Sequence, residues 1–205
     1  MHILLTDRLA CPRCGPAFGL ILLADRIDDR RVLDGRLGCA NCREQYPVAG
    51  GSADLRTGPS AAEPDGPADG GQEAAVRIAA LVGLADNPGP VLIAGPGAEL
   101  APAVAALVAG PEIVALTARP SVGVETPGVS RLAAGPAIPF QDRTLRGVAL
   151  TGGADRALLA EAVRVLVPGS RLVVDPASPS TADEVRALGA EVLLDQAGAV
   201  VAAVR

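Results

Sequence analysis

Four cysteines, Cys11, Cys14, Cys39 and Cys42, are the residues of this 205-residue sequence whose type and spacing most directly define a chemistry. They fall into two Cys-x-x-Cys pairs, Cys11-Pro12-Arg13-Cys14 and Cys39-Ala40-Asn41-Cys42, with no cysteine left over. Such a knuckle lets one tight turn deliver two thiolates to the same ion, and zinc takes four thiolates in a tetrahedron at about 2.3 Å. Four thiolates saturate the metal and leave no position for water, so a site of this kind is structural and not catalytic. Disulfides and a redox Cys-x-x-Cys are the competing readings. A cytosolic chain does not favour disulfides, and two paired knuckles exceed what redox chemistry needs, so zinc is favoured. His2, the sole histidine, reads as a solvated terminal residue and not as a ligand.

The segments around the knuckles supply the strands that would hold them. Leu20 to Leu23 and Val32 to Leu37 are short apolar runs with the character of ribbon strands. Residues 1–56 form a unit too small to carry a large hydrophobic core without a staple, and every cysteine lies within it. Residues 57–71, TGPSAAEPDGPADGG, have no apolar periodicity and are rich in Pro and Gly, so they read as a linker. Residues 72–205 then form a second unit.

That second unit alternates strands with helices. Gln72 to Asp86 has helical spacing and is stopped by Asn87-Pro88-Gly89-Pro90; Val91 to Ala94 is a strand ending in Gly95-Pro96-Gly97, and an Ala-rich helix from about Ala98 to Ala109 follows. Strands are expected at Ile113 to Thr117, Val129 to Ala133, Gly147 to Thr151 and Arg171 to Asp175, all without period-2 polarity, as in buried parallel sheets. Asp155 to Leu166 is helical, and Ser178-Pro179 marks the start of another helix that runs to about Leu188. Glu191 to Leu194 and Ala199 to Val204 are too close together for a crossover and must form an antiparallel hairpin. The expected fold class is therefore α/β: a small zinc ribbon followed by a Rossmann-like, mostly parallel sheet with a C-terminal antiparallel hairpin.

Two resemblances add to this. Leu9-Ala10-Cys11-Pro12-Arg13-Cys14, Leu37-Gly38-Cys39-Ala40-Asn41-Cys42 and Gln45-Tyr46-Pro47-Val48-Ala49-Gly50-Gly51 resemble the small zinc-ribbon proteins that bind and activate methyltransferases, over residues 3–56. Ser52-Ala53 stands where that family has Ile-Pro. The resemblance implies an apolar docking surface, for which Ile3, Leu4, Leu5 and Leu55 are the candidates; alternatively they pack the ribbon's own core. The second unit resembles class I S-adenosylmethionine-dependent methyltransferases. Val91 to Gly97 is similar to their first cofactor motif, Ala137-Ile138-Pro139-Phe140 to their Leu-Pro-Phe segment, and Glu161 to Arg171 to the stretch leading into strand five. This implies Gly95, Gly97 and Thr117 as cofactor-binding positions. Yet the first-motif Asp falls on Ile93, the third Gly on Glu99, the ribose acid on Thr117, the adenine-side Asp on Ala134 and the Asp before strand four on Arg146. A buried hydroxyl pair left without its carboxylate loses a few kcal/mol of binding, about 1–3 per group, so S-adenosylmethionine is not expected to bind. Glu99 is further expected to crowd the cofactor.

The composition excludes much else. All 18 basic residues are Arg, so a Gly-Lys-Ser/Thr phosphate loop cannot exist, and a Ser-His-Asp triad cannot be assembled around His2. Leu100 stands where a dinucleotide fingerprint needs its third Gly. Residues 57–205 carry 10 Arg against 16 acids, and Phe18, Phe140 and Tyr46 are the only aromatics, so nucleic acid is not an expected partner. No apolar run reaches the roughly 18–20 residues that span a bilayer, and no cleavable leader is evident, which points to a cytoplasmic protein without membrane contacts. The expected function is a zinc-binding pseudo-methyltransferase that acts by binding, scaffolding or regulation, through a protein partner or self-association. The alternative is a working methyltransferase with an atypical cofactor site and its activator ribbon supplied in cis.

Overall fold

A computed structural model describes residues 1–58, 71–86, 89–120 and 125–205. Most of the expected linker, residues 59–70, and the Asn87-Pro88 stop lie outside the described residues.

The first strands are β1 (Ala10–Cys11), β2 (Gly15–Asp28), β3 (Arg31–Cys39), β4 (Gln45–Ala49) and β5 (Ser52–Asp54), paired in sequence order as an antiparallel meander. Helix α1 (Gly71–Val82) leads into β6 (Val91–Ala94), α2 (Ala101–Ala105), β7 (Ile113–Thr117), β8 (Val129–Ala133), β9 (Leu145–Thr151), α3 (Arg156–Val165), β10 (Leu166–Asp175), α4 (Thr181–Ala187), β11 (Glu191–Gln196) and β12 (Ala199–Ala203). All twelve strands form one sheet, in the order β1-β2-β3-β4-β5-β8-β7-β6-β9-β10-β12-β11. The centre, β8-β7-β6-β9-β10, is parallel and follows the 3-2-1-4-5 order of a doubly wound fold. β11 and β12 add antiparallel strands at its end. The fold is α/β, with a mostly parallel central sheet and a terminal antiparallel hairpin.

Alternation along the central strands explains the layers. Val91 and Ile93 point to the face covered by α1 and α2, where they join Ala75, Ile78, Ala101 and Val104. Leu92 and Ala94 point to the opposite face, with Leu159, Ala162 and Val165 of α3 and Val185 of α4. Because both faces are covered, the strands need no polar alternation. The core on the α3 side continues into the ribbon through Leu9, Leu37, Tyr46 and Leu55.

β10 starts at Leu166, ahead of the expected Arg171, and two helical segments depart further from their sequence expectation. The segment expected as a helix from Ala98 to Ala109 is a 3-10 turn, Pro96–Leu100, followed by the short α2. Pro102 removes an amide donor there, and few large apolar side chains reward further winding, with Leu107 36% exposed. The last helix starts at Thr181, not at Pro179; Ser178-Pro179-Ser180 forms a turn in which the Ser178 N–H donates to Thr181 Oγ1 at 2.9 Å.

Sheet continuity between the ribbon and the α/β unit comes from β5, which pairs parallel to β8 through Ser52–Arg131, Ala53–Leu132 and Asp54–Ala133. A three-residue strand carries little energy alone, but two further contacts hold the junction. Arg31 of β3 is almost wholly buried and reaches Glu112 at 2.6 Å, Glu125 at 2.5 Å and the Val129 carbonyl. On the other side, Ala10 N–H donates to Pro139 O at 3.0 Å, Gln141 N–H donates to Arg8 O at 2.9 Å, and Leu9 bridges Phe140.

Candidate functional site

The knuckles are positioned by strand ends. Cys11 ends β1 and Cys14 immediately precedes β2, while Cys39 ends β3 and the turn to β4 carries Cys42. In each knuckle the residue after the second cysteine turns into positive φ, Gly15 at 91° and Arg43 at 62°. Arg43 N–H donates to Cys39 O at 2.9 Å, which closes the second knuckle. The four Sγ atoms lie within 4.8 Å of one another, with Cys11–Cys42 at 3.7 Å and Cys39–Cys14 at 3.8 Å. A tetrahedron with metal–sulfur bonds of about 2.3 Å has edges of roughly 3.8 Å, whereas a disulfide needs about 2.05 Å. The thiols are free, and their arrangement fits a metal ion.

The surroundings support thiolate chemistry. Burial raises the Cys11 thiol, but hydrogen bonds with Tyr46 and the backbone of Cys14 and Arg13 outweigh it and set it at about 7. The Glu44 backbone amide pulls Cys42 down, yet burial and the hydrogen bonds with Cys14, Cys39 and Cys11 prevail, and the thiol is pushed up to about 12. Four sulfurs this close cannot all ionise alone; a dication at their centre removes the conflict. Tyr46 OH, 3.5 Å from Cys11 Sγ, and Asn41 Nδ2, 3.3 Å from Cys14 Sγ, are outer donors of the kind that orient thiolate ligands. His2 takes no place in the cluster: its Nδ1 accepts from Leu4 N–H at 3.3 Å.

The second candidate lies at the carboxyl ends of β6 and β7, where doubly wound sheets bind ligands. A cavity of about 700 Å³ opens there, lined by Gly95, Leu116, Thr117, Ala134, Ile138 and Leu158 among others. Gly95 and Thr117 therefore sit on one cavity; Gly97 does not line it. The glycine turn is packed tightly on the end of β9: Gly95 has φ 88°, and a Cβ on Gly97 would come within 2.6 Å of Thr151 Cγ2. No side chain can be added to the turn without moving Thr151.

No family model and no curated protein matches the chain. Among solved structures it is similar to the (4+2)-cyclase SpnF, at 18% identity over 67% of this chain and 66% of that one, with a TM-score of 0.48. It is also similar to a putative sarcosine dimethylglycine methyltransferase from Galdieria sulphuraria, at 14% identity over 60% of this chain and 62% of that one, TM-score 0.47. A third similar structure is the complex between the Haloferax volcanii Trm112 methyltransferase activator and a putative methyltransferase, at 18% identity over 58% of this chain and 71% of the matched chain, TM-score 0.45. The chain spans less than two thirds of the length of the first two proteins.

The donors of the glycine turn face inward. Gly95 N–H donates to Leu116 O at 3.3 Å, Ala98 N–H to Gly95 O at 3.0 Å, and Gly97 N–H to Thr151 Oγ1 at 2.7 Å. Pro96 has none. Thr151 Oγ1 in turn donates to Ala94 O at 2.7 Å, so one hydroxyl ties both sides of the turn together. Thr117, at the end of β7, donates its hydroxyl proton to Arg119 O at 2.6 Å. Sequence reasoning missed Thr151; its only signal was the Gly152-Gly153 pair that follows it.

Ile93, Glu99 and Arg146, three positions at which the resemblance has a cofactor contact replaced, do not line the cavity. Ile93 is buried on the opposite face of the sheet, and Glu99 is exposed on the 3-10 turn. Arg146 belongs to the far end of β9, packed near Gly89. Glu99, expected to crowd a cofactor from the position of the third glycine, is instead exposed on the 3-10 turn and does not line the cavity. Of the four docking candidates on the ribbon, Leu5 and Leu55 are core residues, Ile3 packs against the core, and Leu4 is 61% exposed. Among the described residues no helix is long and apolar enough to cross a membrane.

Proposed function

We propose that this chain is a zinc-stapled, non-catalytic protein of methyltransferase-like architecture that works by binding or regulation. In this reading residues 1–56 are the ribbon, 57–71 the linker and 72–205 the α/β domain; Cys11, Cys14, Cys39 and Cys42 hold one structural zinc ion. Zinc is the natural choice for four sulfur donors at these separations, since a closed tetrahedron of thiolates suits a metal with no geometric preference of its own. When bound, the ion stabilises the four thiolates together, and the ribbon's own residues then do the rest. β5 extends the central sheet, and Arg8 to Ala10 hold the Pro139–Gln141 segment that carries Ile138 into the cavity.

The observation that carries the non-catalytic reading is the closure of the glycine turn. Gly95, Gly97 and Ala98 all donate inward, and Thr117 replaces the carboxylate that would take ribose hydroxyls. Gly95, Gly97 and Thr117 keep the place of a cofactor site without its polar contacts. The protein would act in the cytoplasm on a protein partner or a second copy of itself.

A second reading, a methyltransferase with a rewired site and a cis-fused activator ribbon, is favoured by the open cavity, which neither Ile93, Glu99 nor Arg146 fills. Calorimetric titration of S-adenosylmethionine into the metal-loaded chain separates the two. No heat of binding up to millimolar ligand is expected; one equivalent bound in the micromolar range would establish the second reading.

A further inference from the structure

The cavity at the end of β6 and β7 remains a formed site, and its chemistry is one-sided. Its body is apolar, from Leu116, Ala134, Ala137, Ile138 and Leu158. Among the described lining residues none is basic, and Asp155 is the only one that ionises. Asp155 caps α3, with Oδ1 accepting from Leu158 N–H at 2.8 Å, which leaves its second oxygen for a ligand. Thr117 Oγ1 has given its proton to a backbone carbonyl, so it can only accept. The backbone donors of Ala134 and Ile138 are likewise engaged, with Thr117 O at 3.0 Å and Glu161 Oε2 at 3.1 Å. Both polar side chains of the lining thus offer acceptors, and the glycine turn offers no donor.

We infer that this cavity binds a small organic cation with an apolar body, its charged N–H group set against Asp155 and Thr117. The inference rests on the reading that the cavity does not hold S-adenosylmethionine. A carboxylate or phosphate entering here would lose its hydration and meet no basic side chain in the lining, whereas an apolar body replaces poorly held water and an ammonium group stays at the rim beside a carboxylate. A volume of about 700 Å³ lies within the range of small-molecule sites.

Three probes with one body and different head groups test this on the metal-loaded full chain: 1-adamantylammonium, 1-adamantanol and 1-adamantanecarboxylate, titrated calorimetrically. The ammonium is expected to bind tightest and the carboxylate weakest, with the ammonium roughly fivefold tighter than the alcohol, about the ratio one partly exposed charge pair supplies. Asp155→Asn, which still caps a helix, should remove the preference for ammonium over alcohol and leave alcohol binding unchanged. Ile138→Trp should weaken all three; if that variant fails to fold, as read by its thermal transition, Leu158→Trp serves the same purpose. Equal or tighter binding of the carboxylate, an ammonium preference that survives Asp155→Asn, or no binding of any probe would overturn the inference. S-adenosylmethionine added as a competitor keeps the two readings apart. Micromolar displacement of the ammonium defeats the non-catalytic reading, whereas failure of every probe with no S-adenosylmethionine binding defeats only the cation site.

Discussion

The thiol cluster and the glycine turn are both short loops at strand ends, forced by positive-φ residues, and both match motifs that elsewhere hold a ligand. They differ in where their polar atoms point. In the ribbon, four sulfurs from two knuckles converge within 4.8 Å. In the glycine turn, the donors point into the protein, where Leu116 O, Gly95 O and Thr151 Oγ1 accept them. Motif spacing fixes the path of the backbone; it does not fix which partner its donors find. A knuckle keeps its chemistry because its ligands are side chains, whereas a glycine loop depends on main-chain groups that nearby carbonyls and one hydroxyl can satisfy.

Removing a sulfur should have the largest effect. Cys39→Ser is expected to lower zinc from about one equivalent to near none and to abolish amide-exchange protection in β2 to β4, because apparent binding free energies of structural zinc run to about 10–16 kcal/mol. β6 and β9 should keep their protection, since Val91, Ile93 and Ala149 pack in the core beneath α1 and α2, which contains no ligand. If β6 lost protection to the same extent, ribbon and α/β domain would be one cooperative unit.

The junction between the regions is tested by Arg31→Met. Glu112 and Glu125, with side chains only 17% and 29% exposed, would lose the guanidinium that pairs with both, and the Met1 ammonium, 3.9 Å from Glu125, would compensate only in part. A loss of about 3 kcal/mol in urea unfolding is expected. A loss within about 0.5 kcal/mol would mean that β5 and the Leu9–Phe140 contact hold the ribbon unaided.

Thr151→Val addresses the glycine turn directly. It leaves Gly97 N–H without its acceptor and removes the hydroxyl that donates to Ala94 O, and should destabilise by about 1–3 kcal/mol. Restored affinity for S-adenosylmethionine in this variant would show that Thr151 alone had closed the site. The smallest effect concerns Asp54 beside the ribbon junction. Its hydrogen bond from Arg56 holds the carboxyl below the usual carboxylate range. A depressed carboxyl contributes stability above its unfolded value, near pH 4, and loses it as pH falls through the folded value. Asp54→Asn should therefore lower stability at neutral pH by under about 1 kcal/mol and flatten the acid limb of a stability–pH curve.

Much of the fold could be read from apolar runs. Val91 to Ala94, Ile113 to Thr117 and Val129 to Ala133 fall on β6, β7 and β8 as expected, because continuous aliphatic segments between turns have few alternatives. The four cysteines were equally legible, since two knuckles with no remainder define their own partners. The ribbon's docking was not: β5 is three residues, Ser52, Ala53 and Asp54, with no pattern that announces a parallel partner. Arg31 gave no signal either, as its carboxylates lie far along the chain at Glu112 and Glu125. The cavity at the ends of β6 and β7 was not legible, because it depends on how the 3-10 turn and Thr151 orient the loop.

Native mass spectrometry of protein purified without added metal, sprayed in the presence of S-adenosylmethionine, tests the contrast between the two regions in one spectrum. The expected species is the chain with one zinc ion and no nucleoside adduct. A chain free of zinc, or a zinc-bound chain that retains one S-adenosylmethionine, would contradict it.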